Sequence, residues 1–412
     1  MIKRPAPRSL AWIALATASV ASLVALPVAL AGPSGASHSQ RNSSRCPGPQ
    51  ELVKGTSWTT RKLGPGVSLS EGDTHDATGL VDMHVLRVAT VTPGVSTAPL
   101  VDHIAARNTL SSMAANRPNL VAATNTGYFN YTPPGPVGPF FAPGVISAGD
   151  VPSPIIGFSK TGLAIPATAD LTGSVTADGV SQKLVGMNYL ETTRGLSLYT
   201  SIWGSGRIPY THGGTVDAVP IVHGAVAALA GKNFTVPSNG YLLVASTPVT
   251  EVFLHTMIVG QKVSASASVA TSSKTPLVEG YSVGKRLLTG NGQAADDLDC
   301  HETDPQAART GIGIADGGKM LIIAVVADHP GTSEHGLDHK EMAKLMSDLG
   351  SQQAWEWDGS GSSEMIARIN GQLSVRNYCA DGEERPMPVG FGVFDTARSA
   401  PAKHSKGTHK KH

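Results

Sequence analysis

A chain of 412 residues with 46 glycines, 28 prolines and 5% aromatics is long enough for one large domain or two modest ones. Its formal net charge is +1, and no Lys/Arg-rich face is interleaved with aromatics. Both features argue against nucleic acid as a partner.

At the N-terminus, Lys3, Arg4 and Arg8 precede an Ala/Val/Leu-rich stretch from Leu10 to Leu30. Ala29-Leu30-Ala31 fits a small-residue cleavage site before Gly32. Residues 1–31 therefore read as a signal peptide, and the protein is expected to be secreted, with no stable membrane insertion after cleavage. An uncleaved anchor is the alternative, because the stretch approaches spanning length, although Pro27 interrupts it. Residues 32–79 read as a polar lead and peripheral segment, 80–395 as the main domain, and 396–412 as a disordered basic tail able to touch a cell surface.

Within the main domain, Val81 to Val91 is rich in strand formers. Asp102 to Ala115 has helical spacing through Ile104, Leu110 and Met113. Leu120 to Thr124 reads as a short strand leading into Asn125. From about 165 to 285, short β-like runs alternate with Gly and Pro, Val219 to Val226 and Tyr241 to Ala245 being the clearest. Met320 to Ala327 is a continuous apolar run and reads as a buried strand. Asp338 and Glu341 then form a capping-box pattern ahead of Met342, Leu345, Met346 and Leu349 at helical spacing, with Gly350 placed to end the helix. Ala354 to Trp357 reads as another strand, so strand, helix and strand suggest a right-handed parallel crossover. Asp328 and Asp358 follow the two strands at the same end and are expected to meet. Asn370-Gly371 between apolar alternations signals a hairpin. The expected fold class is α+β, a mixed sheet core with flanking helices.

The run Trp357-Asp358-Gly359-Ser360-Gly361-Ser362-Ser363 carries the most chemistry. It sets one carboxylate at the end of an apolar stretch, then a loop of small residues. Glycines allow close backbone approach, and serines supply compact donors and acceptors. Such a loop suits a sugar or a phosphate; the bland alternative is a flexible linker.

Four elements together resemble the phosphodiester glycosidase family, which includes the uncovering enzyme of the mannose 6-phosphate pathway. They are Asn125-Thr126-Gly127-Tyr128-Phe129-Asn130, Arg309-Thr310-Gly311-Ile312-Gly313-Ile314, Asp358 to Ser363, and Glu384-Arg385-Pro386. The resemblance covers roughly residues 80 to 395. It departs at Trp357, where leucine is usual, at Thr126 and Ser360, where glycine is common, and at Asp328, where His329 and Pro330 follow instead of glycine.

The resemblance implies hydrolysis of a sugar-1-phosphodiester, which develops positive charge on the sugar ring and negative charge on the departing phosphate. Carboxylates suit the first charge and guanidinium groups the second. Asp358, Glu384 and Asp328 are the candidate catalytic carboxylates. Arg309 and Arg385 are candidates for holding phosphate, with structural salt bridges as the alternative. Asn125, Asn130, Thr310, Gly359, Ser362 and Ser363 complete the candidate substrate-binding set, turn capping being the alternative for the two asparagines. Tyr128 and Phe129 read as core or pocket wall.

A Cys300–Cys379 bridge is expected to tie two pocket loops, a free buried cysteine being the alternative for each. His329, His335 and His339 lack a zinc-binding pattern and read as surface residues, so no metal site is assigned. No cofactor is expected; Ca²⁺ near Asp296, Asp297 and Asp299 is a weaker alternative. The sequence therefore points to a secreted glycoside hydrolase acting on a sugar-1-phosphodiester or related envelope glycan. The rival is a non-catalytic secreted protein of the same fold that binds polysaccharide or phosphoglycan.

Overall fold

The computed structural model describes residues 51–190, 194–204, 208, 217–298 and 305–396. All lie within one compact unit, Cys46–His412. The proposed signal peptide, Cys46, Asp299, Cys300 and the tail from 397 onward lie outside the described residues. Among the described residues, no helix is long and apolar enough to cross a membrane.

The α+β expectation is overturned. Twenty-six strands and four α-helices are found among the described residues, and the longest helix, His339–Asp348, has ten residues. Short β-rich runs punctuated by Gly and Pro pair with one another into large, almost wholly antiparallel sheets. Few amphipathic helices remain to flank them. One sheet has eight strands, a second has eleven, and a third has five.

The eight-stranded sheet is the central layer, and its two faces are buried differently. On the Met320–Val326 strand, Leu321, Ile323 and Val325 point into a core shared with the five-stranded sheet, through Ala122, Met365 and Phe391. Ile322, Ala324 and Val326 point the other way, onto Met342, Leu345 and Met346 of the His339–Asp348 helix. Burial on both faces explains the continuous apolar run. The helix starts as expected: Asp338 accepts from Glu341 N–H at 2.8 Å, and the Glu341 carboxylate accepts from Asp338 N–H at 2.9 Å.

The crossover differs from the expected one. Met320–Val326 and Gln353–Trp357 each pair antiparallel with Arg309–Ala315, so they run parallel to each other with that strand between them. Glycine alternates in Arg309–Ala315 because the helix lies close above it. A Cβ on Gly311 would sit 2.5 Å from the Met342 terminal methyl.

Other expectations fared unevenly. Leu80–Ala89, Leu120–Asn125 and Gly240–Ala245 are strands as read. Asn370 and Gly371, both at positive φ, join Met365–Ile369 to Gln372–Val375 as a hairpin. The Asp102–Ala115 helix shrinks to Leu110–Ala114, capped by Thr109. Val219–Val226 is broken by a turn at His223-Gly224 between Asp217–Val222 and Ala225–Val226. Thr59–Gly64 and Val67–His75, inside the segment read as peripheral, are strands of the eight-stranded sheet.

Candidate active site

The Gln353–Trp357 and Leu120–Asn125 strands belong to different sheets, yet their ends meet. Asp358 N–H donates to the Thr126 carbonyl at 2.9 Å. The Asp358 carbonyl accepts from Asn125 Nδ2 at 2.7 Å. Asn125 Oδ1 in turn accepts from Thr310 Oγ1 at 2.9 Å and from Glu364 N–H at 3.2 Å. Asn125 is 1% exposed and Thr310 is fully buried. Both therefore fix the loop that carries Asp358, and their hydrogen bonds run inside the protein.

Asp358 lines a narrow open cleft with Tyr128, Phe129, Ser362 and Met387. Gly359 N–H donates to Asp358 Oδ1 at 3.0 Å. Burial pushes the Asp358 carboxyl above its ordinary range; the Ser362 hydroxyl, the Arg385 charge and the Gly359 N–H pull back without cancelling it. Arg385 stands beside it, donating from Nη1 to Ser362 Oγ at 3.3 Å. Its Nε and Nη2 hold the two oxygens of Asp381 at 2.7 and 2.9 Å. Gly361 makes room for this pair, because any Cβ there would collide with Arg385 and Asp381.

Arg309 lies one layer behind. Its Nη1 donates to Glu356 Oε1 at 2.8 Å and its Nε to the Leu337 carbonyl at 2.9 Å. Glu356, 1% exposed, also accepts from Tyr128 Oη at 2.8 Å and pairs with His339 Nε2 at 2.9 Å. Burial alone would raise the Glu356 carboxyl, but His339, Arg309 and Tyr128 hold it below its ordinary range. Burial and that carboxylate together push the Tyr128 phenol up, so it keeps its proton. Glu356, Tyr128 and His339 thus form a polar network reaching the cleft that motif reading passed over. The available signal was a glutamate at a strand position facing the helix, where a charge needs partners.

Glu384, another of the candidate catalytic carboxylates, faces a different group. Its Oε1 accepts from Ser111 N–H at 2.9 Å, at the start of the Leu110–Ala114 helix. Its carboxylate adjoins that of buried Glu364, whose oxygens receive no donor from the protein. A second carboxylate this close disfavours the charged form of the buried one. Burial, then Glu384, push the Glu364 carboxyl up to about 9. Its native value thus lies above its unfolded one, so its contribution to stability is complete below the unfolded value and is lost as pH rises through about 9. Glu364→Gln should therefore melt higher than the parent at pH 8, by a margin that shrinks toward pH 5. Thermal melts across that range check it, and a margin independent of pH would contradict it.

Asp328 does not join Asp358. With Arg309–Ala315 between the two strands, it sits instead by His329, His335 and Glu334, and burial raises its carboxyl. Asn130 lies in the Phe129–Tyr131 strand, opposite Gly135. Gly359 packs against the Ala308 carbonyl, and Ser363 is fully buried. Cys379 is a free thiol and Cys300 lies outside the described residues, so the expected bridge is not seen. Among the described residues, no group of three or more His, Cys, Asp or Glu side chains converges to hold a metal ion.

Ser360 has φ +54°, a left-handed conformation that costs a residue with a Cβ about 1–2 kcal/mol. This is a physical reason for glycine there. Ser360→Gly should raise stability by about 0.5–1 kcal/mol, after the entropy glycine adds to the unfolded chain. Denaturant midpoints check this; a fall in midpoint would show that Ser360 makes a compensating contact.

Comparison with known proteins agrees with the motifs. The phosphodiester glycosidase family model matches residues 217–394, which include Arg309–Ile314, Asp358–Ser363 and Glu384–Pro386. No curated protein matches the chain. A hypothetical protein from Synechocystis superposes with a TM-score of 0.64 at 19% identity, over 80% of this chain and 62% of that one. The chain thus spans less than two thirds of that protein. A candidate exported protein of Burkholderia pseudomallei K96243 gives 0.67 at 16% identity, over 84% and 97%. These two share the fold. The catalytic domain of zebrafish N-acetylglucosamine-1-phosphodiester alpha-N-acetylglucosaminidase, auto-inhibited by its pro-peptide, gives 0.41 at 15% identity, over 85% and 86%.

Proposed function

We propose, from the phosphodiester glycosidase match over residues 217–394, that this protein hydrolyses the glycosidic bond of a sugar-1-phosphodiester. The observation that carries the reading is the pairing, in one cleft, of a half-buried carboxyl, Asp358, with a hydroxyl, Ser362, to which the Arg385 guanidinium donates from beside the cleft. In the reaction the bond between the anomeric carbon and the phosphate oxygen breaks. Water adds to that carbon, and a free sugar and a phosphomonoester leave. Asp358 stabilises the cationic ring and takes the proton of the attacking water. Its raised carboxyl suits proton transfer nearer neutrality than an exposed aspartate. Arg385 and Ser362 meet the departing phosphate, where charge builds. Tyr128, 39% exposed and anchored through Glu356, forms the wall.

Secretion is part of the proposal. The pattern from Lys3 to Ala31 supports it, as does the shared fold with a candidate exported protein. A second reading, binding of a polysaccharide or phosphoglycan without turnover, is favoured by one observation: Arg385 already holds Asp381 in a two-point pair.

Arg385→Lys separates the two. Lysine cannot make parallel hydrogen bonds to a phosphate. The variant should lose about tenfold or more in kcat/KM on a sugar-1-phosphodiester and less on an aryl glycoside of the same sugar. The check is release of free reducing sugar from both substrates. Equal losses would remove Arg385 from phosphate recognition, and absence of turnover by the parent protein on any sugar-1-phosphodiester would favour the binding reading.

A further inference from the structure

A second cleft, of about 310 Å³, opens between residues 90–97 and residues 158–162, with Glu279 at its base. Its size falls at the lower end of the roughly 300–1,000 Å³ of small-ligand sites. Glu279 belongs to the Leu277–Ser282 strand and is 5% exposed. Tyr281 Oη donates to its Oε1 at 2.5 Å, and Thr97 Oγ1 to its Oε2 at 3.5 Å. Among the described residues no Lys, Arg or His forms an ion pair with it. Burial pushes this carboxyl up to about 7, against the pull of Tyr281 and Thr97. A buried carboxyl without a cation is costly, and the strand formers around it offer no reason to keep it for packing.

The rest of the lining narrows the ligand. Thr92 and Ser96 line one side. Lys160 and Thr161, both exposed, stand on the opposite rim. An anion entering this cleft meets Glu279, and a cation meets Lys160. A neutral ligand rich in hydroxyls meets neither obstacle: it donates to the Glu279 carboxyl and accepts from Lys160 and the threonines. We propose that this cleft is a second carbohydrate-binding site, separate from the one at Asp358, in which Glu279 anchors a neutral sugar. The Leu277–Ser282 strand serves both clefts, since its other end, Ser282, packs against Gly127 beside the Asp358 cleft.

The test is calorimetric titration of the full chain with three neutral probes, maltotetraose, chitotetraose and xylotetraose, which differ in ring size and N-acetylation. At least one should bind. Glu279→Gln should weaken that binding at least tenfold. Thr161→Trp, an exposed change that blocks the rim without touching the buried pair, should do the same, and it decides the matter if Glu279→Gln fails to fold. Asp358→Asn should leave the affinity within twofold of the parent. Binding by none of the probes overturns the proposal. So does binding that survives Thr161→Trp, or that falls with Asp358→Asn. Failure of the parent protein to hydrolyse a sugar-1-phosphodiester would defeat the function proposed at Asp358 and leave this titration unaffected.

Discussion

Asp358→Asn should lower kcat on a sugar-1-phosphodiester by about 10²-fold or more, the scale of a general acid–base contribution. The variant should fold as well as the parent. The Asp358 backbone carries the contacts that fix the loop, through Thr126 and Asn125, and asparagine leaves both intact. Burial already disfavours the charged carboxylate, so a neutral side chain of the same size removes a desolvation cost. Activity and stability should thus separate: a large fall in kcat with a melting temperature unchanged or slightly higher. Paired kinetics and thermal melts check this. Unchanged turnover would take Asp358 out of the chemistry.

Arg309→Met should do the reverse and act on stability. Removing one member of a buried ion pair leaves the other charge uncompensated, at about 3–5 kcal/mol. Here the residue left behind is Glu356, 1% exposed. His339 and Tyr128 still face it, which places the expected loss near the lower end, about 3 kcal/mol. The double variant Arg309→Met/Glu356→Gln should recover at least half of that loss, because the stranded charge is gone. Urea midpoints for the parent, both single variants and the double variant measure the coupling. If Arg309→Met kept full stability while kcat/KM on phosphodiesters collapsed, Arg309 would be a phosphate ligand and its bond to Glu356 incidental.

The contrast between these two residues shows which parts of the site were legible in sequence. Asp358, Ser362 and Arg385 stand in short loops whose composition advertises a compact polar ligand; Asp358 and Ser362 line one cleft, and Arg385 reaches Ser362 from beside it. Arg309 and Asn125 belong to motifs of the same kind, but a motif does not say which way a side chain turns. Glu356 was invisible for a related reason. Between Trp355 and Trp357 it reads as one position of a strand, and its partners Arg309 and Tyr128 are 47 and 228 residues away. Local pattern has no access to such pairings.

The same limit governed the fold. The His339–Asp348 helix was legible because both its cap and its apolar stripe are local. The hairpin at Asn370-Gly371 was legible because two residues fix the turn. The insertion of Arg309–Ala315 between two parallel strands is non-local, and it is what separates Asp328 from Asp358. The predominance of β-structure was underestimated because many strands span only three to six residues, too short for a clear alternation. Spacing at Ile104, Leu110 and Met113 then passed for a long helix where only Leu110–Ala114 is helical.

Hydrolysis in ¹⁸O-labelled water tests the proposed reaction most directly. Attack of water at the anomeric carbon puts the label in the released sugar and leaves the phosphomonoester unlabelled. Mass spectrometry of the products from a sugar-1-phosphodiester should find ¹⁸O in the sugar, formed at a rate that falls about 10²-fold in Asp358→Asn. Label in the phosphomonoester would mean that water attacks phosphorus, making the protein a phosphodiesterase and contradicting the glycosidase reading.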